Sequence, residues 1–288
     1  MRREQEPDSA TPLDPVRSDR REEPMLARTW LQGAARVVAA ALVTLAAINA
    51  ACAQGGRGGD VLHATLGETG AKTAEVSTAE LRRILADGSA VVLDSRKRAE
   101  YVAGHIAGAK NLTLPADASP SDYAAAVAQL LRGDKSKPLV LYCNGPHCQA
   151  SRQLSEQLAA AGFTNVRRYQ LGIPMWRTLS GPVEIELEGI LRIYKIDQTA
   201  VLLDARSVDD FAEASLPGTH NVPADHLATD GLKKAPMPNT DFNTRIVVFG
   251  RDFAQARALA DAIGRTPYQN VSYFPGTYDA LAAAIRAR

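Results

Sequence analysis

Short, wholly apolar runs alternate with longer amphipathic stretches from about residue 75 onward. The runs 91–93 and 139–142 have the length and composition of strands buried on both faces, and 166–169 is predicted as a third strand. The stretches 78–85 and 151–161 have apolar residues at helical spacing. Short buried strands separated by helices are typical of a parallel sheet with helices on both faces, so the pattern predicts an α/β fold.

This pattern of strands and helices occurs twice in the chain. The matching segments follow each other in the same order and at a nearly constant distance, which indicates a duplicated domain instead of short solenoid repeats. The first two pairs lie 110 residues apart. In chain order, the matching pairs are 91–96 with 201–206, 107–111 with 217–221, and 139–142 with 246–249.

The duplication predicts two domains of similar size, at 75–186 and 187–288. The Gly- and Ala-rich segment 54–74 is interpreted as a linker, and residues 1–53 as a polar, disordered region followed by a signal peptide. Hydrophobic residues make up 45% and charged residues 23% of the chain, which is a globular composition. A formal net charge of +1 gives no sign of the basic stripe of a nucleic-acid-binding protein, so no nucleic-acid partner is expected.

The N-terminal region has the order of elements found in secretory signals. Basic residues precede the apolar run 37–48, and small residues follow it, with cleavage predicted after Ala53. The run is shorter than the roughly 20 residues that span a bilayer. We therefore expect export to the periplasm, with Met25 as an alternative start that would give a signal of ordinary length. The other interpretations are an uncleaved anchor and a lipoprotein at Cys52, and only these would place the protein on a membrane.

The first repeat contains a segment with the form of a reactive-cysteine site. The predicted strand 139–142 is followed directly by Cys143, then by a turn-forming loop and a helix that is predicted to be capped by Ser151. Amides of the loop and the first helical turn, together with the positive end of the helix dipole, favour a thiolate at Cys143. Chemistry at a thiolate of this kind requires neither a metal nor an organic cofactor.

The cysteine count limits what this segment can do. If Cys52 leaves with the signal, Cys143 and Cys148 remain as the two cysteines of the mature chain. In an oxidising compartment such a pair forms either a disulfide or a redox-active site, and two cysteines without a second cluster do not make a structural zinc site. Cys148 is therefore a candidate resolving thiol for Cys143, with a packing role in the loop as the alternative.

The first repeat also resembles a rhodanese domain over about residues 75–186. This resemblance implies a five-stranded parallel sheet with flanking helices in each repeat. It rests on several segments taken together, which are 93–96 followed by Glu100 and Tyr101, 104–112, the strand that ends at Cys143, 171–176, and 181–183.

A rhodanese domain implies sulfur transfer through its loop cysteine. By this resemblance Cys143 accepts sulfane sulfur from a donor such as thiosulfate, carries it as a persulfide, and passes it to a thiol, to cyanide or to a protein acceptor. Arg96 is a candidate pocket residue. The candidate cradle of the persulfide consists of Asn144, Gly145, Pro146, His147, Cys148, Gln149, Ala150, Ser151 and Arg152.

Two features depart from the usual family pattern. The usual loop reads Cys-x-x-Gly-x-Arg-Ser, whereas here Ser151 comes two positions later and Arg152 follows it. The second repeat has Gly250 where the first has Cys143, so it cannot hold a persulfide. We interpret the second repeat as a structural or acceptor-recognition partner of the first.

Other functions remain open at this stage. A thiol-disulfide redox protein would use Cys143 and Cys148, and a rhodanese-fold binding module would carry out no turnover. Phosphatase chemistry on the same type of fold needs an arginine that clamps the oxyanion, and the required position is occupied by Gln149.

Overall fold

The computed structural model describes residues 60–287, apart from 113, 115–116, 227–231 and 233–235. These residues belong to one compact unit. The predictions for the polar region and the signal peptide, at 1–53, lie outside the described residues, as does the first part of the predicted linker.

Two five-stranded sheets form the centre of the structure, and neighbouring strands in both are parallel. The strand orders are β1-β5-β4-β2-β3 and β6-β10-β9-β7-β8, which match strand for strand. The predicted α/β fold of two five-stranded parallel sheets is therefore confirmed. The strands are β1 Ala74–Glu75, β2 Val91–Asp94, β3 Lys110–Asn111, β4 Leu139–Tyr142, β5 Val166–Tyr169, β6 Val183–Glu184, β7 Val201–Asp204, β8 Thr219–Asn221, β9 Ile246–Gly250 and β10 Val271–Thr277.

Nine α-helices connect the strands within the described part of the chain. None of these helices combines the length and the apolar character that crossing a membrane requires. The helices are α1 Thr78–Asp87, α2 Arg98–Val102, α3 Pro120–Leu130, α4 Gln149–Ala160, α5 Gly172–Ser180, α6 Leu187–Ile196, α7 Val208–Glu213, α8 Phe253–Ile263 and α9 Tyr278–Arg286.

The central strand β4 shows why the first sheet needs helices on both faces. Successive side chains of a strand point to opposite faces, and all four residues of β4 are buried. Val140 and Tyr142 pack in a cluster with residues of α1 and α5. Leu139 and Leu141 pack in a separate cluster with residues of α3 and α4. Burying an aliphatic side chain of this size stabilises the fold by roughly 1.5–3 kcal/mol, so the two layers hold the end of β4 in a fixed position.

The second sheet begins earlier in the sequence than the predicted boundary at residue 187. β6 pairs with β10, with Val183 opposite Ser272 and Glu184 opposite Tyr273. Residues 183–184 therefore pair with the second sheet, while Val183 also packs in the core cluster of the first repeat. Gly181, at φ 94°, ends α5 and lets the chain turn into β6 within two residues, so the two repeats follow each other without a linker.

The described part of the predicted linker, residues 60–73, packs against the first repeat. The carboxylate of Glu75 accepts hydrogen bonds from the backbone nitrogens of Leu66, Gly67 and Glu68 at 2.7, 3.2 and 2.7 Å. Thr73 is buried, and its hydroxyl lies 3.2 Å from the hydroxyl of Ser155 in α4. The linker interpretation is wrong for these residues, because this polar segment is held by specific hydrogen bonds that its Gly- and Ala-rich composition does not reveal.

The two repeats contact each other through His105 and Glu184. Their backbones form an isolated antiparallel bridge, with N···O distances of 2.8 and 2.9 Å. The imidazole Nε2 of His105 lies 3.7 Å from the Glu184 carboxylate, and its ring stacks on Tyr101 with 3.8 Å between the ring centres. Close by, the backbone nitrogen of Glu186 donates to the carbonyl of Val102 at 3.0 Å. His105 thus helps to join the two repeats.

Candidate active site

β4 places Cys143 at the carboxyl end of the first sheet, which is the edge where parallel α/β sheets bind ligands. The preceding residue, Tyr142, anchors this strand end. Its hydroxyl donates to Asp94 Oδ2 at 2.6 Å and accepts from the backbone nitrogen of Ile106 at 3.1 Å. Burial raises the pKa of Tyr142 well above its ordinary value of 10.0, so the hydroxyl stays protonated and keeps donating to Asp94.

The structure joins Cys143 to Cys148 by a disulfide, with 6.1 Å between the two Cα atoms. The sequence had left this pairing open. Cys143 is only 3% exposed, whereas Cys148 is half-buried. Between them the loop makes a tight turn, in which the backbone nitrogen of Cys148 donates to the carbonyl of Gly145 at 3.0 Å. The two sulfur atoms thus lie in one short loop but differ in their access to solvent.

Helix α4 begins two residues earlier than predicted. Gln149 is its first residue and Cys148 occupies the N-cap position, where its side chain makes no capping hydrogen bond. Ser151 is buried within the first turn and does not cap the helix, so that prediction was wrong. The turn closed by Gly145 and Cys148 already sets the chain in the direction of the helix. The first amides of α4 follow Cys148 directly, and such amides have no partner inside the helix.

A close backbone approach holds the loop in place. Gly172, the first residue of α5, has φ 65°, and a Cβ atom added to it would lie 2.5 Å from the Cys143 carbonyl oxygen and closer still to the Gly145 nitrogen. The next residue, Ile173, donates its backbone nitrogen to the Cys143 carbonyl at 3.0 Å. Only glycine fits at position 172 with this loop conformation.

A chain of polar contacts links the loop to the segment before the first repeat. Arg168, whose side chain is 1% exposed, forms an ion pair with Glu68 and donates from Nη1 to Gln170 Oε1 at 2.7 Å. Gln170 in turn donates from Nε2 to the Pro146 carbonyl at 3.3 Å. The hydrogen bond from Arg168 holds the pKa of Glu68 below its usual 4.5, against the opposing effect of burial. Glu68 is thus ionised at neutral pH and neutralises the buried guanidinium.

Arg152, predicted as a cradle residue, is paired with carboxylates. Its Nη1 lies 2.8 Å from Glu68 Oε1, and its Nε lies 3.3 Å from Glu156 Oε1. Glu68 therefore contacts both the buried arginine of β5 and the first turns of α4. The ion pairs fix α4 relative to β5, and they neutralise the charge of the Arg152 guanidinium.

The other predicted cradle residues differ in their surroundings. The amide nitrogen of Asn144 donates to Glu100 Oε1 at 2.6 Å, which ties the loop to α2. Gly145 is buried, at φ 104°. Ala150 is half-buried, and the exposed members of the loop are Asn144, Pro146, His147 and Gln149.

Arg96, predicted as a candidate pocket residue, is directed inward. Its Nη2 binds Asp94 Oδ2 at 2.5 Å and the Gly104 carbonyl at 2.8 Å. Its guanidinium is therefore engaged in an internal ion pair. Asp94 raises the pKa of Arg96 above its ordinary value against the desolvating effect of burial, so the guanidinium stays charged and braces the ends of β2 and α2.

The loop at the equivalent position of the second repeat is much shorter. β9 ends at Gly250, and α8 begins at Phe253 after the Asp252 cap, whose carboxylate accepts from the Gln255 nitrogen at 2.9 Å. A Cβ atom at Gly250 would meet Gln255 Oε1 at 3.0 Å. This repeat therefore lacks both the cysteine and the six-residue loop that in the first repeat lies between β4 and α4.

The equivalent edge of the second sheet instead forms a cavity of about 330 Å³. Within it, Arg251 pairs with Asp210 at 2.7 Å, and the guanidinium of Arg206 lies 3.3 Å from the centre of the Tyr278 ring. Glu213 and Asp279 complete its charged lining. Arg206 also binds Asp204 as Arg96 binds Asp94, which shows how closely the two repeats correspond.

Several supporting residues were not found by sequence reasoning. Glu68 lies in a segment interpreted as a linker, and Gln170 falls outside the segments that were examined as a site. Glu100 and Gly172 belong to segments that supported the family resemblance, but no role had been given to them. Gly172 has a counterpart in the second repeat, Gly276, and this match is the signal in the sequence that could have found it. Its close approach to Cys143 becomes evident only in the structure.

The chain matches a protein-family model and is similar in sequence to known proteins. The rhodanese-like domain family matches residues 77–179 and 191–284. Thiosulfate sulfurtransferase GlpE of Pseudomonas fluorescens is 30% identical over 106 residues, which cover 37% of this chain and 86% of that protein. An HTH-type transcriptional regulator of Mycobacterium tuberculosis is 31% identical over 125 residues, or 43% of this chain, and the chain spans about half (51%) of its length.

The chain is also similar to solved structures. A thiosulfate sulfurtransferase from Pseudomonas aeruginosa is 20% identical, with a TM-score of 0.33, over 73% of this chain and 42% of that one. A rhodanese-like domain from Anabaena is 28% identical, with a TM-score of 0.30, over 36% of this chain and 74% of that one. The two family matches cover more than half of the chain, one on each sheet. The chain therefore belongs to the rhodanese-like family and contains two copies of its domain.

Proposed function

We propose that this protein is a sulfurtransferase in which Cys143 carries sulfane sulfur as a persulfide. The observation that carries the proposal is the position of Cys143, which is buried at the carboxyl end of β4 and begins the loop that leads into α4. The similarity to a thiosulfate sulfurtransferase, at 30% identity, supports the same class of reaction. The second repeat, without a cysteine, supports the first as a structural or acceptor-recognition partner.

The proposed reaction begins with the reduced loop, because the sulfur of a disulfide is not a nucleophile. The Cys143 thiolate attacks the outer sulfur of thiosulfate, sulfite leaves, and Cys143 holds the transferred sulfur as a persulfide. A thiol, cyanide or a protein thiol then takes the outer sulfur and restores the thiolate. The unpaired first amides of α4 favour the negative charge in both states.

Export to the periplasm is part of the proposal. It rests on the basic, apolar and small residues that precede residue 54, with cleavage after Ala53. The measurement is the N-terminal sequence and the intact mass of protein recovered from a periplasmic fraction. A chain beginning at Gln54 supports export with cleavage, whereas a chain that keeps the apolar run and sediments with membranes supports the anchored alternative.

The test of sulfur transfer is the intact mass of the reduced protein before and after addition of thiosulfate. We expect Cys143→Ser to gain no sulfur, because it removes the carrier, and Cys148→Ser to gain one sulfur atom that cyanide discharges as thiocyanate. Equal loading of the Cys143→Ser protein would exclude Cys143 as the carrier.

The disulfide favours a second candidate function, a thiol-disulfide redox protein that uses Cys143 and Cys148. In that case the reduced protein would lose two hydrogen atoms under mild oxidation and would oxidise or reduce a partner dithiol. It would gain no sulfur from thiosulfate, even with Cys148 replaced by Ser, and this result separates the two candidates.

A further inference from the structure

We infer that Cys148 is the internal acceptor that discharges the Cys143 persulfide, so that the product of the sulfur chemistry is hydrosulfide and a Cys143–Cys148 disulfide. This inference rests on the proposed function and assigns its acceptor step. It also identifies the partner that completes the cycle, which is a reduced dithiol that reopens the disulfide.

The loop geometry brings the two sulfur atoms within reach of each other. The disulfide shows that the side chains meet when the Cα atoms are 6.1 Å apart. The backbone that sets this distance is held at both ends, by the bond from Ile173 to the Cys143 carbonyl and by the bond between Cys148 and Gly145. The close contact at Gly172 leaves little room for the loop to move. Opening the disulfide therefore leaves the thiols as neighbours.

The position of Cys148 suits it to act as a thiolate. It occupies the N-cap of α4, a helix of 12 residues, where the helix dipole favours negative charge. Its side chain makes no capping hydrogen bond, so the sulfur is not committed to the helix. The nearest cationic side chain on the helix, Arg152, is neutralised by Glu68 and Glu156. The favourable influence on a negative Cys148 sulfur is therefore assigned to the helix terminus and not to Arg152.

The step balances without any further reactant. The Cys148 thiolate attacks the inner sulfur of the persulfide, which is Cys143 Sγ. The bond from Cys148 Sγ to Cys143 Sγ forms, and the bond from Cys143 Sγ to the outer sulfur breaks. The outer sulfur takes up the proton that the Cys148 thiol has given up and leaves with the electron pair as hydrosulfide, which means that it is reduced. The two cysteine sulfurs are together oxidised by two electrons.

The difference in burial determines how the disulfide is reopened. Cys143 is 3% exposed, and Cys148 is half-buried. An external dithiol therefore attacks the Cys148 sulfur, and Cys143 leaves as the thiolate. The second thiol of the reductant then resolves the mixed disulfide on Cys148. This order returns the buried cysteine directly to the state that accepts sulfur, and it identifies the partner reaction as dithiol oxidation.

The test is a single turnover without reductant. Reduced wild-type protein and Cys148→Ser protein, freed of small thiols, are mixed with one equivalent of thiosulfate, and volatile sulfide is swept into a zinc acetate trap. We expect the wild type to release about one equivalent of sulfide and to become two hydrogen atoms lighter. We expect Cys148→Ser to gain one sulfur atom and to release at least tenfold less sulfide.

The outcomes separate this inference from the proposed function. If wild type and Cys148→Ser both keep a stable added sulfur and release no sulfide, Cys148 is not the acceptor and the sulfurtransferase proposal stands. If neither protein gains sulfur or releases sulfide, the proposed function fails. Should Cys148→Ser fail to fold, judged by its circular dichroism, the wild-type result decides alone. Sulfide with loss of two hydrogen atoms supports the inference, and a retained persulfide overturns it.

Discussion

Arg168 shows how a single buried charge governs the surroundings of the active-site loop. Its guanidinium is almost completely buried in β5, and Glu68 supplies the compensating carboxylate from outside the first sheet. The hydrogen-bonded guanidinium also orients Gln170, which donates to the loop carbonyl of Pro146. One ion pair thus stabilises the fold and positions the loop.

We predict that Glu68→Gln lowers the free energy of unfolding by about 3 kcal/mol at neutral pH. Breaking a buried ion pair leaves a charge without compensation, and the effect is at the lower end of the usual range because the Glu68 side chain is 18% exposed. Denaturant unfolding of both proteins measures the difference.

The pH dependence of this difference follows from the lowered pKa of Glu68. The folded state binds the proton less readily than the unfolded state, so the stabilisation is complete well above pH 4.5 and is lost as the pH falls through the lowered folded pKa. The stability of the wild type should therefore approach that of Glu68→Gln in acid. A difference that stays constant down to pH 3 would contradict the assignment of Glu68 as an ionised partner.

At the scale of elements, the loop between β4 and α4 depends on the first residue of α5. Gly172 combines a left-handed backbone with a close approach to two residues of the loop. The loop can therefore keep its conformation only while position 172 has no side chain. The conformation of the loop that carries Cys143 and Cys148 therefore depends on α5 as well as on the sequence of the loop itself.

We predict that Gly172→Ala abolishes sulfur loading of Cys143, because the added methyl group displaces the loop carbonyl and amide. The left-handed backbone alone destabilises an alanine by about 1–2 kcal/mol. Gly88→Ala is the matched control, since Gly88 has φ 65° but its Cβ would meet nothing within 4 Å. Comparable loading in the two variants would show that the close approach does not matter.

The central strands and the position of Cys143 at a strand end were predictable from the sequence. The apolar runs at 91–93 and 139–142 predicted the central strands, and Cys143 was located because it follows one of them directly. The predicted start of α4 was wrong because serine is a favoured N-cap residue, which favoured Ser151 as the cap. The sequence did not show that Cys148 closes a turn or that Ser151 is buried. Pairing of β6 with the second sheet was also missed, since a two-residue strand has no periodicity to detect.

At the scale of the whole molecule, the two repeats are joined at a partly buried polar junction. His105 and Glu184 exchange backbone hydrogen bonds, and Arg98 forms an ion pair with Glu186 beside them. Burial lowers the pKa of His105 below its ordinary 6.5 and raises that of Glu184. Desolvation thus outweighs the attraction between these side chains, and the imidazole is neutral in the folded protein at neutral pH.

We predict that lowering the pH decreases the free energy of unfolding of the wild type more than it decreases that of His105→Phe. Because the folded state resists protonation of His105, the unfolded state binds more protons just below pH 6.5, and the stability of the wild type falls there. Phenylalanine preserves the stacking on Tyr101 and has no proton to bind. The readout is the free energy of unfolding between pH 5 and 7. Parallel curves for the two proteins would exclude a neutral, buried His105.

The bridge between His105 and Glu184 also bears on how the duplicated gene could change after duplication. β6 pairs with β10 along one edge and with the first repeat along the other, so Glu184 has a partner on each side. Recombination on either side of β6 that replaced one repeat by another copy would disrupt one of these two pairings. Replacement of both copies together would keep both pairings. The second copy thus matters to the molecule through its contacts, even though it has no cysteine of its own.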